Sequence, residues 1–486
     1  MANENPSAAD NFRQFVKGLQ DENDLVTITE EVDPHLELAA IVRKDKTPLF
    51  EKIKGRSGTG LLRVLGATVG LSRVPDQRLR RIAKSFGLPS HATGQEIIQK
   101  INAAKTHEPI EPKAVSSGPV KEHKIFGDDI DWNMLPTPLL HEDDGGKFIE
   151  TFGMHIVQTP DGRWVNWSVS RGMIHDKRLL VCAVIPKQDI GVIWQMWKDK
   201  GEDMPWASSF GVPPAAIMVG GMPIPKWTNE AGFIEALTGR PVGVVKCESN
   251  DPRVPANAEI VFEGTVSTSE TATEGPMAEY HGMIYPGQSK QNPIFKVNTF
   301  THREDPILPI CVAGRAAEEN RTVWALMQAA KVLNICQNAG LPIQMVWSPF
   351  ESHCLWFVLQ VNRQGLRAMK TNMSDFSNKV GHNVFGSKPG WYIPKIFLVE
   401  EDIDPTNLRD VIWAEATRCQ PEVNEFLFHD YGNIPLIPYV SHGIKPDGHQ
   451  AKVVRCCMFP SEFVEDNVFW KEGSFVVPTL LMFSRK

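Results

Sequence analysis

The spacing of apolar residues changes character along the chain. Phe12, Phe15, Val16 and Leu19 fall at i, i+3, i+4 and i+7, one apolar stripe that predicts a short amphipathic helix. Asp33-Pro34 reads as a helix start, with Asp as the cap and Pro in the first turn, leading into Leu36, Leu38, Ala39, Ile41 and Val42. Residues 77–104 have helical spacing as well, broken at Gly87-Leu88-Pro89. Residues 105–119, rich in Pro, Ser and Lys and without periodicity, read as a linker. Beyond them, β-branched or alternating runs at 179–185, 242–246, 259–266 and 293–300 predict strands, each bounded by Gly, Pro or Asn. Ile190, Ile193, Trp194 and Trp197 make a helical stripe that stops at Gly201, and 322–338 is the clearest long helix. Strands at 345–347, 354–361 and 395–399 then alternate with helical pieces. The pattern predicts an α/β (α+β) chain with an α/β start, a β-rich middle, a connecting helix and an α/β end.

Composition narrows the class. With 486 residues, 42% of them apolar and 24 Phe among them, the chain can bury large cores in roughly two to three domains. A net charge of −7 leaves no global basic field, so neither nucleic acid nor an anionic membrane is an expected partner. The longest apolar runs, such as 179–186, fall far short of the ~20 residues that span a bilayer. Met1 to Asp10 is polar and acidic, unlike a secretion leader, and a cytoplasmic protein is expected. The eight cysteines form no C-x-x-C pair and read as reduced, mostly buried thiols. The sequons at Asn166, Asn320 and Asn372 therefore carry no meaning as glycosylation sites. No G-x-G-x-x-G follows a strand, and G-x-S-x-G and H-E-x-x-H are absent, which argues against Rossmann, serine hydrolase and zincin chemistry. Gly381 to Lys388 resembles a P-loop with Ser and Lys reversed; a solvated Lys388 is the plainer reading.

Three clusters carry chemistry. Asn166-Trp167-Ser168-Val169-Ser170-Arg171 sets an amide, two hydroxyls and a guanidinium on an apolar-flanked strand. Pro186-Lys187-Gln188-Asp189 joins a strand to a helix. Ser267 to Gly282 holds Glu274 and Glu279 on either side of Gly275 and Pro276, a turn able to aim both at one pocket. Two carboxylates near one arginine can divide their roles. The one paired to guanidinium stays ionised, while the other, in an apolar setting, rises in pKa and carries a proton. From spacing alone, a surface turn with solvated glutamates fits as well.

Taken with Ile185-Pro186-x-Gln188, Trp206 to Ala216, Glu230-Ala231-Gly232, Glu274-Gly-Pro-x-x-Glu279-x-His281-Gly282 and Ile434 to Tyr439, these clusters resemble the UbiD family of reversible decarboxylases. The ferulic acid decarboxylase branch is the most similar, in order from about Phe12 to about Pro460. The resemblance implies an N-terminal α/β region (1–110), a split β-barrel binding prenylated FMN (111–318), a connecting helix (319–342) and a C-terminal oligomerisation domain (343–486) of a homodimer. It makes Arg171, Glu274 and Glu279 the catalytic triad. Arg171 would hold the substrate carboxylate and keep Glu274 anionic, while Glu279 delivers the proton that replaces CO2. The flavin would carry the difficult step by adding the substrate covalently and accepting its electrons.

The same resemblance places the flavin phosphate on Mn2+ (or Mg2+) held by Asn166, Asp189 and Glu230, an oxygen set that suits hard cations. A K+ would sit on backbone oxygens of Trp167, Val219 and Met222 with Glu230. Ser168, Ser170, Gln188 and Lys388 fall where relatives contact the cofactor. Asp189 departs from the branch, which has His there, and adds negative charge beside a phosphate. It also stands where a helix cap belongs. His281 fits a proton relay or a structural role equally and is not assigned to catalysis.

The substrate pocket maps to Ile185, Tyr280, Asn320, Trp324, Gln328, Pro394, Ile434 and Leu436. Hydrogen-bonding groups at Tyr280, Asn320 and Gln328 point to an aromatic or heteroaromatic acid, hydroxybenzoates included, because an unpaired buried polar group costs about 1–3 kcal/mol. The alternatives are an enzyme for α,β-unsaturated acids such as cinnamic, ferulic or sorbic acid, a non-catalytic flavin-binding protein, and a conventional flavin oxidoreductase. A flavin prenyltransferase is the implied supplier of the cofactor.

Overall fold

The computed structural model describes residues 8–44, 47–54, 61, 63–105, 107–222, 224, 226–285, 287–315, 317–434, 437–442 and 450–459. The chain divides into two compact units, Met1–Ala330 and Lys331–Lys486. The helix Glu319–Asn338 contains the boundary. Among the described residues no helix is long and apolar enough to cross a membrane. All eight cysteines are free thiols, buried except for the half-buried Cys419.

In the first unit, the amphipathic stripe forms the helix Phe12–Asp21, with Phe12, Phe15, Val16 and Leu19 buried and Asn11 capping it through Gln14 N–H. A four-stranded sheet follows, ordered Leu25–Val32, Thr47–Ile53, Arg63–Gly66 and Ile307–Ile310. The expected helix start at Asp33-Pro34 is displaced. Asp33 Oδ1 accepts from His35 N–H at 2.8 Å, closing a local turn, and Leu36 adopts a left-handed φ of 69°, so the helix runs only from Glu37 to Val42. The 77–104 stretch forms two helices, Arg80–Ser85 and Gly94–Lys105, with the expected break at Gly87-Leu88-Pro89 between them. The linker is partly structured. Lys113–Ala114 pairs in parallel with Gly243–Lys246, satisfying backbone groups in a segment whose side chains show no pattern.

The middle of this unit is a nine-stranded sheet. Its path runs Phe148–Glu150, Gly172–Asp176, Leu179–Cys182, Lys290–His302, Ile260–Glu274, Met204–Phe210, Gly153–Gln158, Val165–Ser168, and His123–Phe126 pairs beside Lys290–His302. Every pairing in it is antiparallel. The two long strands extend well beyond the apolar runs that predict them, and their pairing shifts between Val266 and Thr271. Trp206, Phe262, Phe295 and Phe300 fill the interior, with Trp206 and Phe295 edge to face at 5.0 Å.

The connection from Val165–Ser168 to Gly172–Asp176 shapes this sheet. One is the last strand of the path and the other the second, so in a flat sheet they would lie roughly 29 Å apart at the usual strand spacing. Four extended residue steps reach only about 14 Å. The sheet must therefore curl until its edges approach, and Val169, Ser170 and Arg171 bridge the seam. Ser170 Oγ donates to Ala183 O at 2.8 Å, fixing the bridge to the exit of Leu179–Cys182.

The second unit holds a five-stranded sheet ordered Ile343–Trp347, Trp356–Val361, Lys395–Val399, Lys452–Cys457 and Glu425–Phe428. The fully buried Lys452 donates from Nζ to Gly390 O, Ile393 O and Asn433 Oδ1, tying the turn Pro389–Tyr392 to the strand. Burial pushes its pKa down to about 7.

Among the described residues of the first unit a fully buried ion pair joins Arg81 to Asp24, which also accepts from Ser72 Oγ. Arg81→Ala would strand a buried carboxylate and is expected to cost about 3–5 kcal/mol, read as a lower urea midpoint at pH 7.

Candidate active site

Arg171 leaves the seam with its guanidinium between two carboxylates. Nε donates to Glu274 Oε1 at 2.8 Å and Nη2 to Glu274 Oε2 at 3.1 Å, a bidentate pair, and Nη1 donates to Glu279 Oε1. Burial alone would lower the Arg171 pKa; the charges of Glu279 and Glu274 and their hydrogen bonds outweigh it and raise the pKa above the ordinary value.

The two glutamates reach this position differently. Glu274 is the last residue of the strand Ile260–Glu274, wholly buried, and also accepts from Asn292 Nδ2 at 3.3 Å. The strand pairing sets Ala272 opposite Asn292, which brings that amide within reach. Glu279 lies past the Gly275-Pro276 turn, where Gly275 takes φ 88°, a conformation only glycine adopts without strain. Its side chain stays 15% exposed. The expectation of one paired and one apolar carboxylate is corrected: both sit on the same guanidinium. What separates them is two contacts against one, and full against partial burial. Asn292 was missed by sequence reasoning because only the long-range strand register brings it to Glu274.

Asn166, Trp167 and Glu230 form a second cluster. Glu230 Oε1 accepts from Asn166 Nδ2 at 2.9 Å and Oε2 from Trp167 N–H at 2.8 Å. Burial pushes the Glu230 pKa up to about 8 against those hydrogen bonds, and Asp189 adds to the rise. Asn166 Oδ1 and Ser168 Oγ are buried oxygens with no hydrogen-bond partner. Two orphaned oxygens beside a buried carboxylate, all hard donors, fit a divalent cation. Asp189 is the first residue of the helix Asp189–Lys200, with Gln188 in the flanking cap position, so the helix cap is not Asp189. Trp167, Val219 and Met222 are all buried, with Trp167 O near Gly220 and Val219 O accepting from Met222 N–H.

Of the residues expected to line the pocket, Asn320, Trp324 and Gln328 fall at i, i+4 and i+8 on one helix face. Tyr280 meets Trp324 edge to face at 6.0 Å and lies under Arg321. Gln328 is buried, with Oε1 unpaired; Asn320 Nδ2 is engaged by Cys311 Sγ at 3.4 Å. Ile185 is partly exposed in the loop before Asp189. Lys388, Pro394 and Ile434 belong to the second unit, where Lys388 is exposed, Pro394 buried, and Ile434 N–H donates to Trp391 O. Leu436 lies outside the described residues.

Comparison with known proteins decides the family. Residues 16–101, 113–316 and 321–457 match the N-terminal, Rift-related and C-terminal domains of 3-octaprenyl-4-hydroxybenzoate carboxy-lyase. The chain belongs to the UbiD family. This UbiD carboxy-lyase is 44% identical over 464 residues to the pyrrole-2-carboxylic acid decarboxylase of Pseudomonas aeruginosa, covering 94% of this chain and 93% of that one. It is 40% identical over 462 residues to ferulic acid decarboxylase 1 of Saccharomyces cerevisiae, covering 93% and 92%. In fold it is similar to the UbiD-class enzyme HmfF of Pelotomaculum thermopropionicum in complex with FMN (TM-score 0.81, 23% identity, 97% and 98% covered). Vanillic acid decarboxylase of Sedimentibacter hydroxybenzoicus is similar too (TM-score 0.83, 23% identity, 96% of each chain covered).

The unequal burial of the two UbiD glutamates has a measurable consequence. Glu274→Ala strands Asn292 and most of the guanidinium and is expected to cost about 3–5 kcal/mol. Glu279→Ala should cost less than about 1.5 kcal/mol, and urea unfolding of the two variants compares them.

Proposed function

We propose that the protein is a reversible, non-oxidative decarboxylase of an aromatic or heteroaromatic carboxylic acid, using prenylated FMN, with Glu279 as the proton donor. The single observation that carries this reading is Arg171 held between Glu274 and Glu279. The guanidinium has five N–H donors and uses three on the glutamates, leaving two for a substrate carboxylate. Glu274, buried and bidentate, fixes the guanidinium plane.

Protonated Glu279 gives its proton to the carbon that loses CO2. It returns as a carboxylate to Arg171, and its exposed edge takes the next proton from solvent. The reaction balances as R–COO− plus H+ giving R–H and CO2. Bound prenylated FMN would supply the electron sink for the breaking bond.

Asn166, Asp189 and Glu230 would hold Mn2+ or Mg2+ against the flavin phosphate, with K+ on the carbonyls of Trp167, Val219 and Met222. The orphaned Asn166 Oδ1 and Ser168 Oγ support that placement. Ser170 and Gln188 complete the proposed cofactor contacts of the first unit. The division at 110, 318 and 342 belongs to the same reading, supported by the three matched segments. So does a cytoplasmic homodimer supplied by a flavin prenyltransferase; exposed Ile412, Trp413, Val423 and Leu427 on the second unit support association.

The substrate class rests on the helix face bearing Asn320, Trp324 and Gln328. A buried, unpaired Gln328 Oε1 favours a substrate with a ring N–H or hydroxyl, and the pyrrole-2-carboxylic acid relative points the same way. The second reading, α,β-unsaturated acids such as ferulic, cinnamic or sorbic acid, is favoured by the yeast relative. Protein co-expressed with a flavin prenyltransferase should release CO2 from pyrrole-2-carboxylate or protocatechuate faster than from cinnamate or sorbate. Glu279→Gln should lower that rate by at least about 100-fold with flavin still bound. Turnover of cinnamate alone would replace the first substrate reading by the second. Asn166→Ala should retain roughly 10- to 100-fold less Mn2+, measured by metal analysis after dialysis.

A further inference from the structure

Glu279 is not held by its own side chain alone. Three contacts pin the backbone just before it. Ala278 N–H donates to Asp144 Oδ1 at 2.9 Å. Gly145 N–H donates to Pro276 O at 2.7 Å. Met277 packs against Phe148 and Met173, the latter two residues beyond Arg171. The approach of the two backbones is close enough that a Cβ on Gly145 would lie 2.2 Å from Gly275 O. Beyond Glu279 the chain closes on itself, Glu279 N–H donating to Met283 O.

Asp144 is the charged member of this arrangement, and its side chain is wholly buried. Its Oδ2 accepts from His141 N–H at 3.0 Å and faces His141 Nδ1 at 3.2 Å. His141 Nε2 faces Ala313 O at 2.8 Å, in the segment leading to the helix of Asn320, Trp324 and Gln328. Both ring nitrogens thus face acceptors, and only the imidazolium donates to both. Burial works against that charge, as does Arg43, but the bonds to Asp144 and Ala313 and the Asp144 charge raise the His141 pKa overall.

We propose that Asp144, supported by His141, is a positioning residue that sets the location of the Glu279 carboxylate by holding the Ala278 amide. The proposal rests on the role assigned above to Glu279. The pair joins the turn that bears the proton donor to the segment leading into the pocket helix, so an error at Asp144 would move the donor relative to Arg171 without touching substrate.

Hydrogen exchange followed by mass spectrometry and steady-state kinetics test it together. Ala278 should be strongly protected in the wild-type protein and exchange at least about 10-fold faster in Asp144→Ala. In the flavin-loaded enzyme the same variant should lose kcat roughly 10- to 100-fold, with KM within about twofold and flavin content unchanged. Asp144→Asn, which keeps an oxygen for Ala278, should recover part of that loss. Unprotected Ala278 in the wild type overturns the proposal, as does a kcat loss that follows flavin loss and thermal melting. Should Asp144→Ala not fold, His141→Ala takes its place, with a smaller rise in exchange and fall in kcat expected; wild-type values for both overturn the proposal. Absence of turnover in the wild type would instead refute the decarboxylase reading, and the exchange result would still decide what Asp144 does.

Discussion

A guanidinium shared by two carboxylates is the interaction around which the first unit is arranged. A half-buried Arg171 without partners would be costly, and each partner comes from more than a hundred residues away. The long strand Ile260–Glu274 delivers one at its terminal residue, and the turn that follows delivers the other. The curled sheet exists in this form because a three-residue bridge has to join strands that its own hydrogen-bond order places far apart.

The unequal burial of the two acids follows from where the strand stops. Glu274 is still part of the ladder and sees only protein. Glu279, five residues later, has left the sheet and keeps a solvent edge. One guanidinium therefore holds a wholly buried carboxylate and one with a solvent edge, and the proposed proton delivery by Glu279 rests on that difference.

Legibility from sequence tracked how local each determinant is. The helix Phe12–Asp21 was readable from its stripe, and the helix ended by Gly201 from its stripe and stop, while its cap fell on Gln188 and not on Asp189. Asp33 misled because its side chain had a nearer amide to bind than those of the helix, and Leu36 then turned the backbone away. The pair Lys113–Ala114 left no trace because its strand is made wholly by backbone atoms of a distant partner. At the site, the residue types of Arg171, Glu274 and Glu279 marked a candidate, but spacing could not distinguish a pocket from a surface turn. Only the family resemblance singled them out. Asn292 and Asp144 stayed hidden because each acts through register or a backbone amide, and neither belongs to a motif.

The bridge across the seam also separates what can vary from what cannot. Asn166 and Arg171 stand five positions apart, one tied to Glu230 and the other to Glu274 and Glu279. Of the side chains in between, Val169 makes none of these bonds and can be exchanged, whereas Ser170 is tied to Ala183 O. A deletion or insertion there would break one anchorage or the other, whatever residue was involved. In this stretch the constrained quantity is a length, set by the two anchorages at its ends.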